Sequence, residues 1–127
     1  MTGVPRGYAP PGWPAQVHPP GAQGWEVTAS TFLLDCCPSD FRGYAILRRH
    51  PVVLARFAAE FVAAQARASS DGLGRLRLEL ADHVEPEVVQ AAVEAWEEQA
   101  AHLQRLTREV GLVEQALRGR VFVRRLT

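Results

Sequence analysis

The stretch from residue 86 to residue 119, PEVVQAAVEAWEEQAAHLQRLTREVGLVEQALRG, predicts one long amphipathic helix, and the rest of the fold follows from it. Apolar residues recur there at alternating spacings of three and four, which returns their side chains to one helix face. A stripe of this kind buries itself against a partner helix. The two rows of the stripe are Val89, Trp96, Leu103, Val110 and Leu117, and Ala92, Gln99, Leu106 and Val113.

The ends of this helix are marked by residues with known positional preferences. Pro86 suits the first helical position, where its missing N–H costs nothing, and Gly119 suits the left-handed position after the last turn. We therefore predict a helix over residues 86–118. At a rise of 1.5 Å per residue it would be about 50 Å long.

A second long helix is predicted over residues 51–82. It passes through Gly72 and Gly74, each of which costs only about 1 kcal/mol in a helix interior. Residues 83–85 then form a short turn, and short connections favour antiparallel neighbours. The predicted inner face of this helix is formed by Leu54, Phe57, Ala58, Phe61, Ala64, Gln65 and Ala68.

These elements predict an all-α fold: a long antiparallel, coiled-coil-like helical hairpin within a helical domain at residues 25–119. A helix at 26–37 begins a short N-terminal hub. Residues 1–24 contain six prolines and five glycines and are expected to form a flexible, disordered arm, with Tyr8 and Trp13 docking on the domain or on a partner. Residues 120–127 are expected to form an extended basic tail anchored by Phe122, or alternatively an edge strand.

Composition narrows the classes of protein that fit. The chain has 127 residues and 47% apolar content, enough for one domain with a modest core. Its formal net charge is zero, so no general attraction to polyanions is indicated. All fourteen basic residues are arginine, which is typical of a GC-rich genome. The sequence shows neither a membrane span nor a signal peptide, so we expect a cytoplasmic protein.

Charged residues are distributed unevenly along the chain. Seven acids and no arginine lie between residues 78 and 104, whereas four arginines and no acid lie between residues 42 and 56. Residues 105–125 carry six arginines against two acids. A reversal at residues 83–85 would bring both basic blocks to one end and leave an acidic tip at the other. Such poles either steer a partner or simply keep the ends solvated.

We find no catalytic, cofactor-binding or metal-binding motif in the sequence, so we predict no enzyme and no cofactor. Cys36 and Cys37 are adjacent, and adjacent cysteines rarely bridge because the geometry is strained. A thiol enzyme would need His50 or His102 as its base. The spacing of the histidines and cysteines matches no zinc pattern.

The function predicted from these features is a non-enzymatic protein–protein interaction module, a dimerising helical-hairpin adaptor or regulator with one acidic and one basic pole. A symmetric homodimer is expected, because two long stripes offer more apolar surface than the hub can cover. The alternatives are nucleic-acid or anion binding through the basic pole, and a thiol-based enzyme. The arginines available for the first alternative are Arg42, Arg48, Arg49, Arg56, Arg118, Arg120, Arg124 and Arg125.

Two groups of residues are candidates for partner binding. The charged group is expected to lie at the basic pole, and the apolar group in a partner or dimer groove, although the apolar group is also what plain core would look like. The charged group is Arg48, Arg49, Arg120, Arg124 and Arg125, and the apolar group is Trp96, Leu103, Leu106 and Val110.

The run DCCPSDFRGYAILRRHPVVLARFAAE at residues 35–60 resembles blocks in small uncharacterised helical proteins of GC-rich actinobacteria. It covers about a fifth of the chain and contains no functional motif. The resemblance implies a bacterial, cytoplasmic protein and no particular activity.

Overall fold

The computed structural model of the chain describes residues 7–125, which form four α-helices and one 3-10 turn and contain no strand. The predicted all-α class is confirmed. Residues 1–6 of the predicted arm and residues 126 and 127 of the predicted tail lie outside the described residues. The helices are α1 (Trp25–Asp35), α2 (Ala45–Arg49), α3 (Pro51–Leu80) and α4 (Pro86–Leu117), and the turn is Ser39–Gly43.

The two long helices, α3 and α4, pack against each other over most of their lengths. Three contacts at different heights join them, and the residue numbers fall along α3 as they rise along α4. The contacts are Arg77 Nη2 to Gln90 Oε1 at 2.6 Å, Trp96 Nε1 to the Ser69 carbonyl at 2.7 Å, and Arg56 Nε to Glu114 Oε2 at 3.5 Å.

The face of α3 that packs in the core consists largely of small side chains, among them Ala58, Ala66 and Gly72. Of the seven positions in the predicted inner face of α3, Leu54 and Ala58 are buried and Phe61 is half-buried, whereas the other four are exposed. Phe57 is 45% exposed, and the other predicted positions that are exposed are Ala64, Gln65 and Ala68. One reason is steric: where the Trp96 indole of α4 rests on α3, the close approach requires the small residue Gly72.

On α4 the first predicted row includes the buried residues Val89, Leu103 and Val110. The second predicted row is wrong in the half of α4 before Leu103. Gln99 is exposed there, and the buried residue is Val93, one position after the predicted Ala92. Toward the carboxyl end both rows are covered, because the short helices pack there as well as α3. The residues of the predicted second row that this packing covers are Leu106 and Val113.

Trp96 seats its indole on α3 beside Gly72, while 36% of the residue remains exposed. A Cβ atom placed on Gly72 would lie 2.7 Å from Trp96 Cζ2, which is closer than real Cβ contacts allow. Around Gly74 there is open space. Helix α3 continues through both glycines without a break, so Gly72 serves side-chain packing and Gly74 does not.

The segment before α1 is packed against the helices, which contradicts the predicted flexible arm for residues 7–24. Val17 is 3% exposed and belongs to the hydrophobic core. The Trp13 indole donates to the Val17 carbonyl at 2.9 Å, and the His18 N–H donates to Thr28 Oγ1 at 3.0 Å. Pro14 is also fully buried, so prolines here fix a packed conformation instead of preventing one.

The two ends of the described chain meet beside Trp13. Its ring centroid lies 6.3 Å from that of Trp25 and 6.1 Å from that of Phe122. Gly119 has φ +101°, and the N–H of Arg120 donates to the Gln115 carbonyl, which is a Schellman cap. The predicted left-handed cap is confirmed, and it turns the tail back toward Trp13.

We predict opposite stability changes for alanine at the two glycines of α3. Gly74→Ala should raise the free energy of unfolding by about 0.5–1 kcal/mol, because alanine is the better helix former and nothing crowds it. Gly72→Ala should lower it by about 1–3 kcal/mol, because the new methyl group displaces Trp96. Urea unfolding followed by circular dichroism measures both. Equal stabilisation by the two variants would show that Trp96 does not rest on α3.

Candidate functional site

An aromatic cluster lies where the 3-10 turn after α1 packs on α3. We call it the aromatic patch; it consists of Phe41, Tyr44, Phe57 and Phe61. The Phe41 ring centroid lies 6.0 Å from those of Tyr44 and Phe57 and 6.2 Å from that of Phe61. Tyr44 is 50% exposed and Phe57 is 45% exposed. The patch therefore presents aromatic faces to solvent.

Local sequence positions this patch. Pro38 precedes the 3-10 turn, whose backbone closes with the Phe41 N–H donating to the Pro38 carbonyl at 3.0 Å. The turn carries Phe41 onto α3, where Phe57 and Phe61 lie one helical turn apart. The apolar pattern of the sequence predicts core positions for both of these phenylalanines.

Arginines surround the aromatic patch. Arg42 forms a 2.5 Å ion pair with Asp35, and Arg48 donates to the Arg42 backbone carbonyl. Among the described residues no carboxylate lies within ion-pair distance of Arg48 or Arg49, the two arginines predicted to contact a partner. Arg56 lines the same surface as Phe57. The patch thus combines exposed aromatic rings with positive charge.

A buried carboxylate ties this surface to the helix pair. Glu114 is the one charged residue buried among residues 7–125, and it lies 3.5 Å from Arg56 and 3.2 Å from Arg118. Arg56 also reaches Glu60 at 3.3 Å. Sequence reasoning missed this role of Glu114, although its spacing of four from Arg118 was a usable signal. The pairing fixes Arg56 between the helix interface and the aromatic patch.

The other predicted charged residues belong to a different surface. Arg120, Arg124 and Arg125 line a cavity together with Tyr8, at the meeting point of the two chain ends. The structure therefore divides the predicted basic pole into two separate groups of arginines. Of the five predicted charged residues, Arg48 contacts the segment that carries Phe41, through the Arg42 carbonyl.

The predicted partner groove on α4 lies inside the molecule. Val110 is fully buried, Leu103 is buried, and Leu106 is half-buried against the core. Trp96 is only partly exposed and bonds to Ser69. The assignment of Leu103 and Val110 to an open groove is wrong, because α3 and the short helices already cover them. The alternative of plain core holds for these two residues.

The opposite end of the helix pair is less acidic than the block of acids in the sequence indicated. Arg75 pairs with Glu79 at 4.0 Å, and Arg77 bonds to Gln90 across to α4. Both arginines precede the acidic block in sequence but share its end of the molecule. We call residues 78–88 the acidic tip. Its exposed apolar residues are Leu78, Val84 and Val88, and its acids are Glu79, Asp82, Glu85 and Glu87.

The two thiols are poorly suited to nucleophilic chemistry. Burial, with the neighbouring Cys37 thiol and the carboxylates of Glu109 and Asp35, raises the pKa of Cys36 to about 12. Burial raises the pKa of Cys37 to about 11, although Arg42 partly opposes the shift. Both cysteines are unpaired thiols and are protonated at pH 7.

Residues 7–125 contain neither a cluster of metal ligands nor a helix suited to cross a membrane. No group of three or more His, Cys, Asp or Glu side chains is placed to hold a metal ion. Within the same residues no helix combines the length and the apolar character that crossing a membrane requires.

Comparisons with models of known protein families, with curated proteins and with solved structures gave no match to this chain. The resemblance of residues 35–60 to actinobacterial proteins stays a prediction. Function has to be inferred from the geometry of the surfaces.

We predict that both thiols react slowly in the folded protein. At pH 8 the alkylation by iodoacetamide should be about a thousandfold slower for Cys36 and about a hundredfold slower for Cys37 than in the urea-unfolded chain, because each unit by which burial raises the pKa lowers the thiolate fraction about tenfold. The folded rate should climb steadily as the pH is raised toward 11. Mass spectrometry of the intact protein follows the reaction. Fast labelling of either thiol at pH 7 would revive the thiol-enzyme alternative.

Proposed function

We propose that this chain is a non-enzymatic protein–protein interaction module, an adaptor or regulator built on an antiparallel helical hairpin of the coiled-coil type. The single observation that carries the proposal is the aromatic patch with its arginines. The falling and rising residue numbers of the α3–α4 contacts support the hairpin. The raised cysteine pKa values speak against the thiol-enzyme alternative, and we place the protein in the cytoplasm.

The aromatic patch has the composition of a binding surface. Aromatic residues and arginine are enriched where proteins bind one another, and energetically important contacts concentrate in them. Phe57 and Tyr44 stay half exposed although α4 covers much of the opposite face of α3. An exposed aromatic pair gains stabilisation only when a partner removes it from water.

Charge defines the chemistry of the partner. Arg48 and Arg49 are exposed, Arg48 reaches the backbone of Arg42 next to Phe41, and among the described residues Glu60 is the one acid that lines the surface around Phe57. A complementary ligand would carry apolar side chains for the rings and carboxylates for the arginines. We therefore propose an acidic, amphipathic protein segment as the partner.

The acidic tip of a second copy fits this description. It displays Leu78, 83% exposed, together with four acids. Self-association would then be head to tail, the tip of one copy resting on the aromatic patch of the next. This replaces the dimer groove expected from the sequence, since the apolar stripe of α4 is largely buried within one chain.

Changes in the patch should abolish partner binding without unfolding the protein. Phe57→Ser and the pair Arg48→Glu with Arg49→Glu should each remove the bound protein in a pull-down from native bacterial lysate, because they delete the apolar or the charged half of the contact. Val27→Ser, which alters an exposed apolar residue on α1 outside the patch, is the control and should retain the bound protein. An identical set of captured proteins for all variants would exclude the patch.

Mixing two neutralised variants tests head-to-tail self-association. Arg48→Gln with Arg49→Gln disables the patch, and Glu85→Gln with Glu87→Gln disables the tip. Each variant alone should associate at least about tenfold more weakly than wild type, whereas their mixture should form a 1:1 pair, because one intact tip meets one intact patch. Sedimentation at about 20 mM salt measures this, since screening weakens such contacts at higher ionic strength.

The control for this experiment is Glu97→Gln with Glu98→Gln, which removes two exposed acids outside the tip and should leave association unchanged. A wild-type protein that is monomeric at every concentration would refute self-association. Equal weakening by the control pair would refute the assignment to the tip.

A further inference from the structure

The two ends of the described chain enclose a cleft that the proposed interaction function does not use. Tyr8, Pro10 and Pro11 form one wall, and the extended tail at residues 120–125 forms the other. The cavity between them measures about 650 Å³. Sites for small ligands commonly measure about 300–1,000 Å³, so the cleft has the size of a ligand site.

Positive charge converges on this cleft. Arg120, Arg124 and Arg125 line it, and none of the other described residues in its lining carries a carboxylate. Among residues 7–125, no acid lies within ion-pair distance of these three arginines. Neighbouring like charges repel one another, and an anion between them would remove that repulsion.

Aromatic rings orient two of the three guanidinium groups. The Arg120 guanidinium carbon lies 4.9 Å from the centroid of Phe122, and that of Arg124 lies 5.8 Å from the centroid of Tyr8. Arg120 also donates to Gln115 Oε1. A stacked guanidinium keeps its donors in a fixed plane, so less side-chain freedom is lost when it binds an oxyanion.

A second cavity of about 360 Å³ adjoins the cleft on the side of the helices, where Trp25 of α1 and Ala116 of α4 line it, and we call it the inner cavity. The two share Tyr8, Arg120, Val121 and Phe122 in their linings. The lining of the inner cavity has no charged residue besides Arg120, and its further residues include Pro20, Trp25 and Ala116. The site as a whole therefore has a charged mouth and an apolar, partly aromatic interior.

From this arrangement we propose that the cleft binds a phosphate-bearing ligand with a planar group, of the nucleotide class. The phosphates would lie among the three guanidinium groups, whose forked donors match phosphate oxygens. The planar group would enter the inner cavity beside Trp25. Phosphate is favoured over a single carboxylate because three arginines offer more charge and more donors than one carboxylate can use.

The cleft depends on how the amino-terminal segment is seated. A Cβ on Gly7 would lie 1.3 Å from the Pro20 carbonyl oxygen, so only glycine allows this approach. Gly7→Ala must therefore displace the wall that carries Tyr8 while keeping all three arginines in the sequence. It provides a test of the cleft that does not alter charge.

Isothermal titration calorimetry at low salt with ATP, pyrophosphate, adenosine and a short oligothymidylate tests the proposal. We expect ATP to bind with a Kd on the order of 100 µM, pyrophosphate about tenfold more weakly, and adenosine not measurably. Tighter binding of the oligothymidylate than of ATP would also support the proposal and would identify a nucleic-acid strand as the source of the phosphates. Pyrophosphate binding as tightly as ATP would overturn the nucleotide class.

Variants decide whether binding occurs in the cleft. Arg120→Gln with Arg124→Gln should weaken ATP binding at least about tenfold, and Gly7→Ala should weaken it as well. The matched control, Arg105→Gln with Arg108→Gln, removes two exposed arginines of α4 outside the cleft and should have no effect. The absence of binding heat with ATP, pyrophosphate and the oligothymidylate would overturn the proposal. So would an equal loss of ATP affinity in the control variant. Arg48 and Arg49 are untouched, so this outcome is independent of the partner-binding experiments.

Discussion

The packing of bulky α4 side chains against small α3 side chains is the constraint on which the rest of this structure depends. Trp96 rests on Gly72 and bonds to the Ser69 backbone, and Ala58 and Ala66 belong to the same buried face of α3. Dense packing between two helices requires a small residue where its neighbour is large. Leu54 and Val62 fill the core from α3, whereas Phe57 stays exposed and Phe61 packs half-buried against that core.

The aromatic patch contains the α3 side chains that the core leaves exposed or half-buried. Phe57 and Phe61 both pack on Phe41 from the connecting segment, and Phe41 also contacts Tyr44. Glu114 then links the interface to the outside by holding Arg56 between the two. Stability and the candidate binding surface therefore share residues, and a change at Glu114 would affect both.

The two chain ends form a second organised region. Trp13 contacts both Trp25 and Phe122, so a single side chain joins the amino-terminal segment, the first helix and the tail. Val17 and Pro14 bury this segment against the core. Two basic surfaces result, one beside exposed aromatic rings and one within a cleft, and their different geometries favour different ligands: a protein segment on the first and a phosphate-bearing molecule in the second.

Features that depend on local backbone preference and on the spacing of apolar residues can be predicted from the amino-acid sequence alone. These are the helical class, the long helix predicted at 51–82 and found at Pro51–Leu80, and the left-handed cap at Gly119. The aromatic patch and the burial of Glu114 could not be predicted, because they depend on which flank of α3 meets α4. An apolar pattern predicts a buried position for a phenylalanine on any helix face. An alanine does not indicate which residue of the other helix it packs against.

The same distinction explains the arm and the arginines. Proline and glycine content predicts the flexibility of an isolated segment. It could not predict that Val17 is buried, because the core around Val17 is formed by residues far away in sequence. Arg120 and Tyr8 lie more than a hundred positions apart, and only the folded chain places them on one cleft. Local chemistry determined the helices, and long-range contacts decided which side chains they bury and which they expose.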